Sequence, residues 1–175
     1  MVPPAMPSFR VENVFDCSQT TFWEKVFFDA EYNRRLFYDE LRFSEWRELE
    51  QKHEGDRVRR WVKATPPIAD LPGPLKAAIG DGAGYEERGV FERATNRYDA
   101  HVKPNVLGDK VTVELAFRTE PLDAGRCRRI VDGTVVARVF VIGGMLEQRM
   151  MDDLKRSYEK SAAFTNRFVA EKGWQ

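Results

Sequence analysis

Apolar side chains in the last third of the chain change their spacing abruptly. From about Arg126 to Phe140 a Val-rich run (Val131, Val135, Val136, Val139) reads as one long strand. A Val141-Ile142-Gly143-Gly144 hinge follows. Beyond it, from Met145 to about Lys172, there is no Pro and no Gly. Apolar positions recur there at Leu146, Met150, Leu154, Tyr158, Ala162, Thr165, Phe168 and Val169. Steps of three and four place them on one face of a helix. Some 28 helical residues reach about 42 Å, longer than a small domain needs for packing alone. Such a helix, with one greasy stripe, requires a broad curved sheet to lie across.

The upstream pattern supplies that sheet. Phe9 to Phe15 alternates as a first strand. Asp16 or Ser18 can cap a helix carrying Phe22, Trp23, Val26 and Phe27, and a second short helix carries Tyr32, Leu36, Phe37 and Leu41. Period two then sets in. Phe43 to Gln51 and Arg57 to Ala64 form a hairpin about Glu54-Gly55-Asp56. Pro66 and Pro67 end that ladder. Residues 66 to 84, with four Pro and four Gly, form a long loop with one helical turn at Leu75–Ile79. Tyr85 to Thr95 and Arg97 to Lys103 make the next hairpin, turning at Asn96. In Lys110 to Thr119, Val111, Val113, Leu115 and Phe117 face one way, and Asp123 to Gly125 turns the chain into the final strand. The order predicts an α+β fold: an antiparallel sheet of about seven strands curled around the long C-terminal helix, with two short helices after strand one.

Length and composition leave this picture intact. The 175 residues suit one domain, read as 8 to 172 after a short disordered lead-in, 1 to 7. Lys and Arg number 28 and Asp and Glu 28, so the excess positive charge of a nucleic-acid binder is missing. No apolar run has the length of a membrane span, and the three prolines of Met1 to Pro7 do not make a signal peptide. These features predict a cytoplasmic protein whose membrane contact, if any, is transient. Cys17 and Cys127 lack metal or redox spacing and read as two free thiols unless the fold brings them together. No cofactor or metal constellation is present in the pattern.

Two stretches carry a family resemblance. Cys127-Arg-Arg-Ile-Val-Asp-Gly-Thr-Val-Val-Ala-Arg-Val-Phe-Val-Ile-Gly-Gly-Met-Leu-Glu147 resembles DUF2505, an actinobacterial family of the START-like (SRPBCC) superfamily. Phe22 to Trp46, with Arg60-Trp-Val-Lys-Ala-Thr-Pro-Pro67, is similar to the VASt domain of sterol-transfer proteins. The resemblance spans about Phe9 to Val169. It implies the helix-grip fold and an internal hydrophobic cavity beneath the C-terminal helix. It also suggests lipid binding or lipid transport, with a lipid, sterol or polyketide-like ligand.

On that basis the candidate cavity wall comprises Trp61, Phe91, Val113, Leu115, Phe117, Val135 and Ala137 from strands and Met145, Met150 and Leu154 from the helix. The same stripes also suit a solid core. The methionines add a flexible, polarizable surface. Ile68, Leu71, Leu75 and Ile79 form a candidate lid, and Tyr85, Tyr98 and Arg60 could orient a ligand. The helix dipole accounts for Glu147 at the helix start. Two competing functions remain. In a cyclase- or hydrolase-like enzyme, Asp99 and His101, two apart on one strand, are weak catalytic candidates, but Tyr98, Ala100 and Val102 make the greasier face. An interaction module would instead expose an apolar patch near Trp46, Trp61 or Trp174.

Overall fold

Seven antiparallel strands form one sheet in the order β1-β7-β6-β5-β4-β3-β2. They are β1 (Ser8–Phe15), β2 (Glu45–Glu54), β3 (Arg57–Thr65), β4 (Tyr85–Glu92), β5 (Arg97–Pro104), β6 (Val111–Pro121) and β7 (Cys127–Ala137). The computed structural model describes residues 5–68 and 70–175; residues 1–4 of the expected lead-in and Ala69 of the expected loop lie outside them. The carbonyl of Pro7 already accepts a bond from the Val135 amide, 3.1 Å. Among the described residues no helix is long and apolar enough to cross a membrane.

From β2 to β7 successive strands pair antiparallel as a meander, with a short helix in the connection between β3 and β4, while β1 pairs with β7 at the far edge. The chain between β1 and β2 must therefore cross the sheet. It does so as two short helices: α1 (Gln19–Thr21, widening into a π-helical stretch over Phe22–Phe27) and α2 (Ala30–Arg34, widening likewise over Arg35–Glu40). Ser18 caps the first by accepting from the Thr21 amide at 3.1 Å, and Asp29 caps the second through the Tyr32 amide at 2.8 Å. Phe22, Trp23 and Val26 are thereby buried, and Trp23 stacks on Phe91 at 4.5 Å.

The concave face of the sheet is apolar because alternate residues point inward: Val58, Val62 and Ala64 on β3, Tyr98, Ala100 and Val102 on β5, and Val111, Val113, Leu115 and Phe117 on β6. Against it lies α4 (Gly143–Lys172), whose 30 residues span about 45 Å at 1.5 Å each. Its inner face buries Leu146, Met151, Ala162, Phe164, Phe168 and Val169. A shorter helix, α3 (Gly73–Ile79), plugs one end of the sheet by packing Leu75 on Val111, Ala137 and Leu146. Register sets Phe15 opposite Cys127, and the turn after β1 brings Cys17 alongside. The two thiols are buried and free.

The final strand stops at Ala137, three residues before the expected end, and α4 starts at Gly143, inside the expected hinge. The reason is a close approach. A Cβ on Gly143 would stand 2.4 Å from the Ala137 carbonyl oxygen, whereas one on Gly144 would meet nothing within 4 Å. Glu147 closes the same corner by accepting from the Ala137 amide at 2.8 Å. Gly143→Ala is therefore expected to lower stability by about 1–3 kcal/mol, as overpacking does. Gly144→Ala should be neutral or slightly stabilising, since Ala is the better helix former. Paired urea melts of the two variants read this difference directly.

Candidate functional site

On β3 the expected inward stripe contains a charged intruder. Val58, Val62 and Ala64 fix the parity of β3, and that parity carries Arg60 inward as well. On β4 the residues opposite the inward positions of β3 are Tyr85, Glu87, Gly89 and Phe91, so Glu87 enters the same space. On β5, Tyr98 lies flat over Gly89, where a Cβ would stand 1.9 Å from its hydroxyl. Only glycine leaves room for that ring.

Three polar groups converge as a result. The Tyr98 hydroxyl donates to Glu87 Oε1 at 2.6 Å, Arg60 Nη2 donates to the same oxygen at 3.3 Å, and Arg60 Nε donates to Tyr98 Oη at 3.3 Å. Arg60 Nη1 reaches the Phe27 carbonyl at 3.4 Å. The guanidinium also lies over the rings of Phe27 and Phe28 at 4.5 and 5.5 Å. Arg60 and Tyr98 are buried, and Glu87 nearly so. Burial works against the Arg60 charge, but the oxygens of Tyr98 and Glu87 offset it and hold the group above its ordinary pKa. The pair is thus neutralised in place.

Beside this network, facing α4, is a set of inward residues that are only half-buried: Phe43, Tyr85, Met150, Leu154 and Tyr158. Tyr158 packs edge-on to Phe117 at 5.6 Å, and Phe43 stands edge-on to Tyr85 at 6.5 Å. Among the described residues the hydroxyls of Tyr85 and Tyr158 have no hydrogen-bond partner. Burial and the nearby Glu87 charge hold both phenols above the usual range. Half-buried apolar side chains with two phenol hydroxyls and a carboxylate beside them are suited to a mostly hydrophobic molecule bearing a polar group or two.

Burial is also the leading cause of raised phenol pKa values at Tyr32 and Tyr98. Unfolding lets all four rings ionise near pH 10, whereas the folded state retains their protons. Their contribution to stability is therefore complete below pH 10 and is lost as pH rises above it. In a spectrophotometric titration, the phenolate absorbance of these four residues should appear only together with the loss of near-ultraviolet circular dichroism.

The structure distributes the other expected wall residues among different places. Val113, Leu115, Phe117 and Val135 are solid core, and Ala137 joins Leu75 in the end plug, with Leu71 and Ile79 packed on it. Trp61 is a correction: it has the opposite parity to Arg60, lies on the outer face beneath Arg88 at 3.9 Å and donates to Glu86 at 3.1 Å. Met145 and Ile68 are exposed: Met145 lies on the outer side of the first turn of α4, whose inner side carries buried Leu146, and Ile68 lies in the loop after β3. Asp99 and His101 also face outward, engaged by Arg97 and Glu114. Trp46 stacks on Phe37 at 4.8 Å and Trp174 packs against Phe168. No group of three metal-ligating side chains occurs among the described residues.

A separate groove of about 730 Å³ opens beyond Phe28, toward the β2–β3 turn, over Val58, Phe91 and Trp23. A bulge at Glu48–Glu50 reverses the parity of β2, so that Gln51 and His53 pair with the inward Arg60 and Val58 and line this groove. Its floor is already buried and its rim is charged by Glu24, Lys25, Asp29 and Arg93.

The sequence model of the DUF2505 family, described as a protein of unknown function, matches residues 11–169. The chain belongs to this family. No curated protein matches it in sequence. Solved structures match over nearly its whole length. The Zhui aromatase/cyclase from Streptomyces sp. R1128 superposes with a TM-score of 0.67 at 12% identity, covering 96% of each chain. TTHA0849 from Thermus thermophilus gives 0.66 at 14% identity, over 95% of this chain and 99% of that one. Norcoclaurine synthase from Thalictrum flavum, in complex with dopamine and hydroxybenzaldehyde, gives 0.64 at 11% identity, over 95% and 88%. At such identities the likeness establishes the shared helix-grip fold alone, and this DUF2505 member has it throughout.

Proposed function

We propose that this DUF2505 protein binds, and carries, a hydrophobic small molecule in the compartment between α4 and the inner faces of β4 and β5. The observation that carries the proposal is the pair of unengaged hydroxyls, Tyr85 and Tyr158, next to Glu87 on an otherwise apolar wall. Both side chains are half-buried, so each hydroxyl is open to a polar group of a ligand. Affinity would come mainly from apolar area, at about 25 cal/mol per Å², and orientation from the hydroxyls. The segment around α3 closes one end of the sheet and would act as the lid. The complexed ligands named for norcoclaurine synthase, dopamine and hydroxybenzaldehyde, are small aromatic molecules with polar groups, which fits a compartment of this character. Native mass spectrometry of the purified protein should show a bound apolar species that organic extraction removes. A bare polypeptide mass from several expression hosts would count against the proposal.

A second reading rests on the same cluster. Glu87 and Tyr98 share a proton-bearing contact of 2.6 Å, the kind of pair that proton transfer needs. Incubating the extracted molecule with fresh protein separates the readings. A carrier returns it unchanged; a catalyst alters its mass, and Glu87→Gln slows that change.

A further inference from the structure

Three loops meet at the α3 end of the molecule: the β7–α4 turn, the β5–β6 connection and the segment from 66 to 84. The Arg138 amide bonds the Lys110 carbonyl at 2.7 Å, Arg149 reaches the Asp70 carbonyl at 3.2 Å, and Leu71, Leu107, Val139 and Ile142 pack on one small cluster. Each loop holds a non-glycine residue at positive φ: Asp70, Leu107 and Val141.

The tip of this end is apolar. Phe140 is 94% exposed, Val141 83% and Met145 47%. Phe140 stacks on no ring among the described residues. Val141 is β-branched yet held at φ 69°, a conformation that glycine or asparagine takes far more easily. Folding alone gives no reason for a strained valine beside a fully exposed phenylalanine. Arg138, Lys110 and Lys76 are exposed nearby and the first turn of α4 has no acid; of the acids in the same loops, Asp109 pairs with Lys103 at 3.0 Å, Glu147 is half-buried on the Ala137 amide, and Asp70 and Asp81 are exposed.

We infer that this tip is a membrane-docking wedge, inserting Phe140, Val141 and Met145 among the acyl chains of an anionic bilayer while the basic residues meet its headgroups. A narrow convex tip offers far less than the roughly 800 Å² per partner that a stable protein interface buries, but two or three apolar side chains with adjacent basic charge suffice for reversible interfacial binding. The inference goes beyond ligand binding, and its test does not depend on what the interior holds.

The test is flotation of the full chain with phosphatidylcholine vesicles, with and without phosphatidylglycerol. The protein should float with the anionic vesicles, and less so as salt rises. The double variant F140S/V141G should keep or raise the wild-type melting temperature, since neither side chain packs in the core and glycine relieves the backbone at 141, and lose binding by about tenfold or more. R138E should weaken binding to anionic vesicles. Failure of the wild type to float with anionic vesicles would overturn the inference, as would F140S/V141G binding as well as wild type. So would light scattering that shows a dimer dispersed by the same substitutions, because a second copy of the chain would then be the occupant.

Discussion

Replacing Glu87 by alanine is expected to cost about 3–5 kcal/mol of folding stability, the usual loss when one partner of a buried ion pair is removed. Arg60 would then lie buried over Phe27 and Phe28 with no carboxylate, and the Tyr98 hydroxyl would lose its 2.6 Å acceptor. The charge of Arg60, not the lost contact alone, sets the size of the effect. The double variant Arg60→Met/Glu87→Leu should therefore recover most of the loss, because it removes both charges and keeps the volume. Urea denaturation of the single and double variants provides the cycle. An alanine variant as stable as wild type would mean that water already satisfies Arg60 and that the network does not organise the interior.

The second large effect is expected at Gly89. A methyl group there would overlap the Tyr98 ring, whose nearest atoms would be 1.9, 2.0 and 2.5 Å from the new Cβ. The ring cannot move while its hydroxyl stays between Glu87 and Arg60, so Gly89→Ala should lower stability by about 3 kcal/mol, the upper end for overpacking. Tyr98→Ala is itself destabilising, but it removes the obstacle. In the Tyr98→Ala background the added methyl should cost much less. Strongly non-additive unfolding free energies would establish the contact; additive ones would contradict it.

Much of this architecture was legible in the chain. The 3.6-residue stripe of α4 and the alternation in Val111 to Phe117 give the helix and its sheet directly, and Cys127 to Glu147 carries the family resemblance. The polar network was half legible. Arg60 shares parity with Val58 and Val62, and Glu87 shares parity with Tyr85 and Phe91, so period two alone points both inward. The pattern offered both Trp61 as wall and Arg60 as a ligand-orienting group, although neighbours on a strand face opposite ways; what sequence does not show is that the inward arginine finds a carboxylate on the next strand. The β2 bulge was beyond reach, since no glycine or proline marks it. The exposure of Met145 depends on which side of the first turn of α4 meets the sheet, which the close approach at Gly143 decides.

The central claim concerns the compartment beside Tyr85, Leu154 and Tyr158, so the most direct measurement is titration with the apolar fluorescent probe 1-anilinonaphthalene-8-sulfonate in two filled variants. Leu154→Trp occupies the compartment beneath α4, and His53→Trp occupies the groove toward the β2–β3 turn. Saturable uptake that weakens about tenfold or more in Leu154→Trp and is unchanged in His53→Trp is the expected result, given the apolar area lost to the ligand. Uptake abolished by His53→Trp but untouched by Leu154→Trp would contradict the account and move the binding site to the groove.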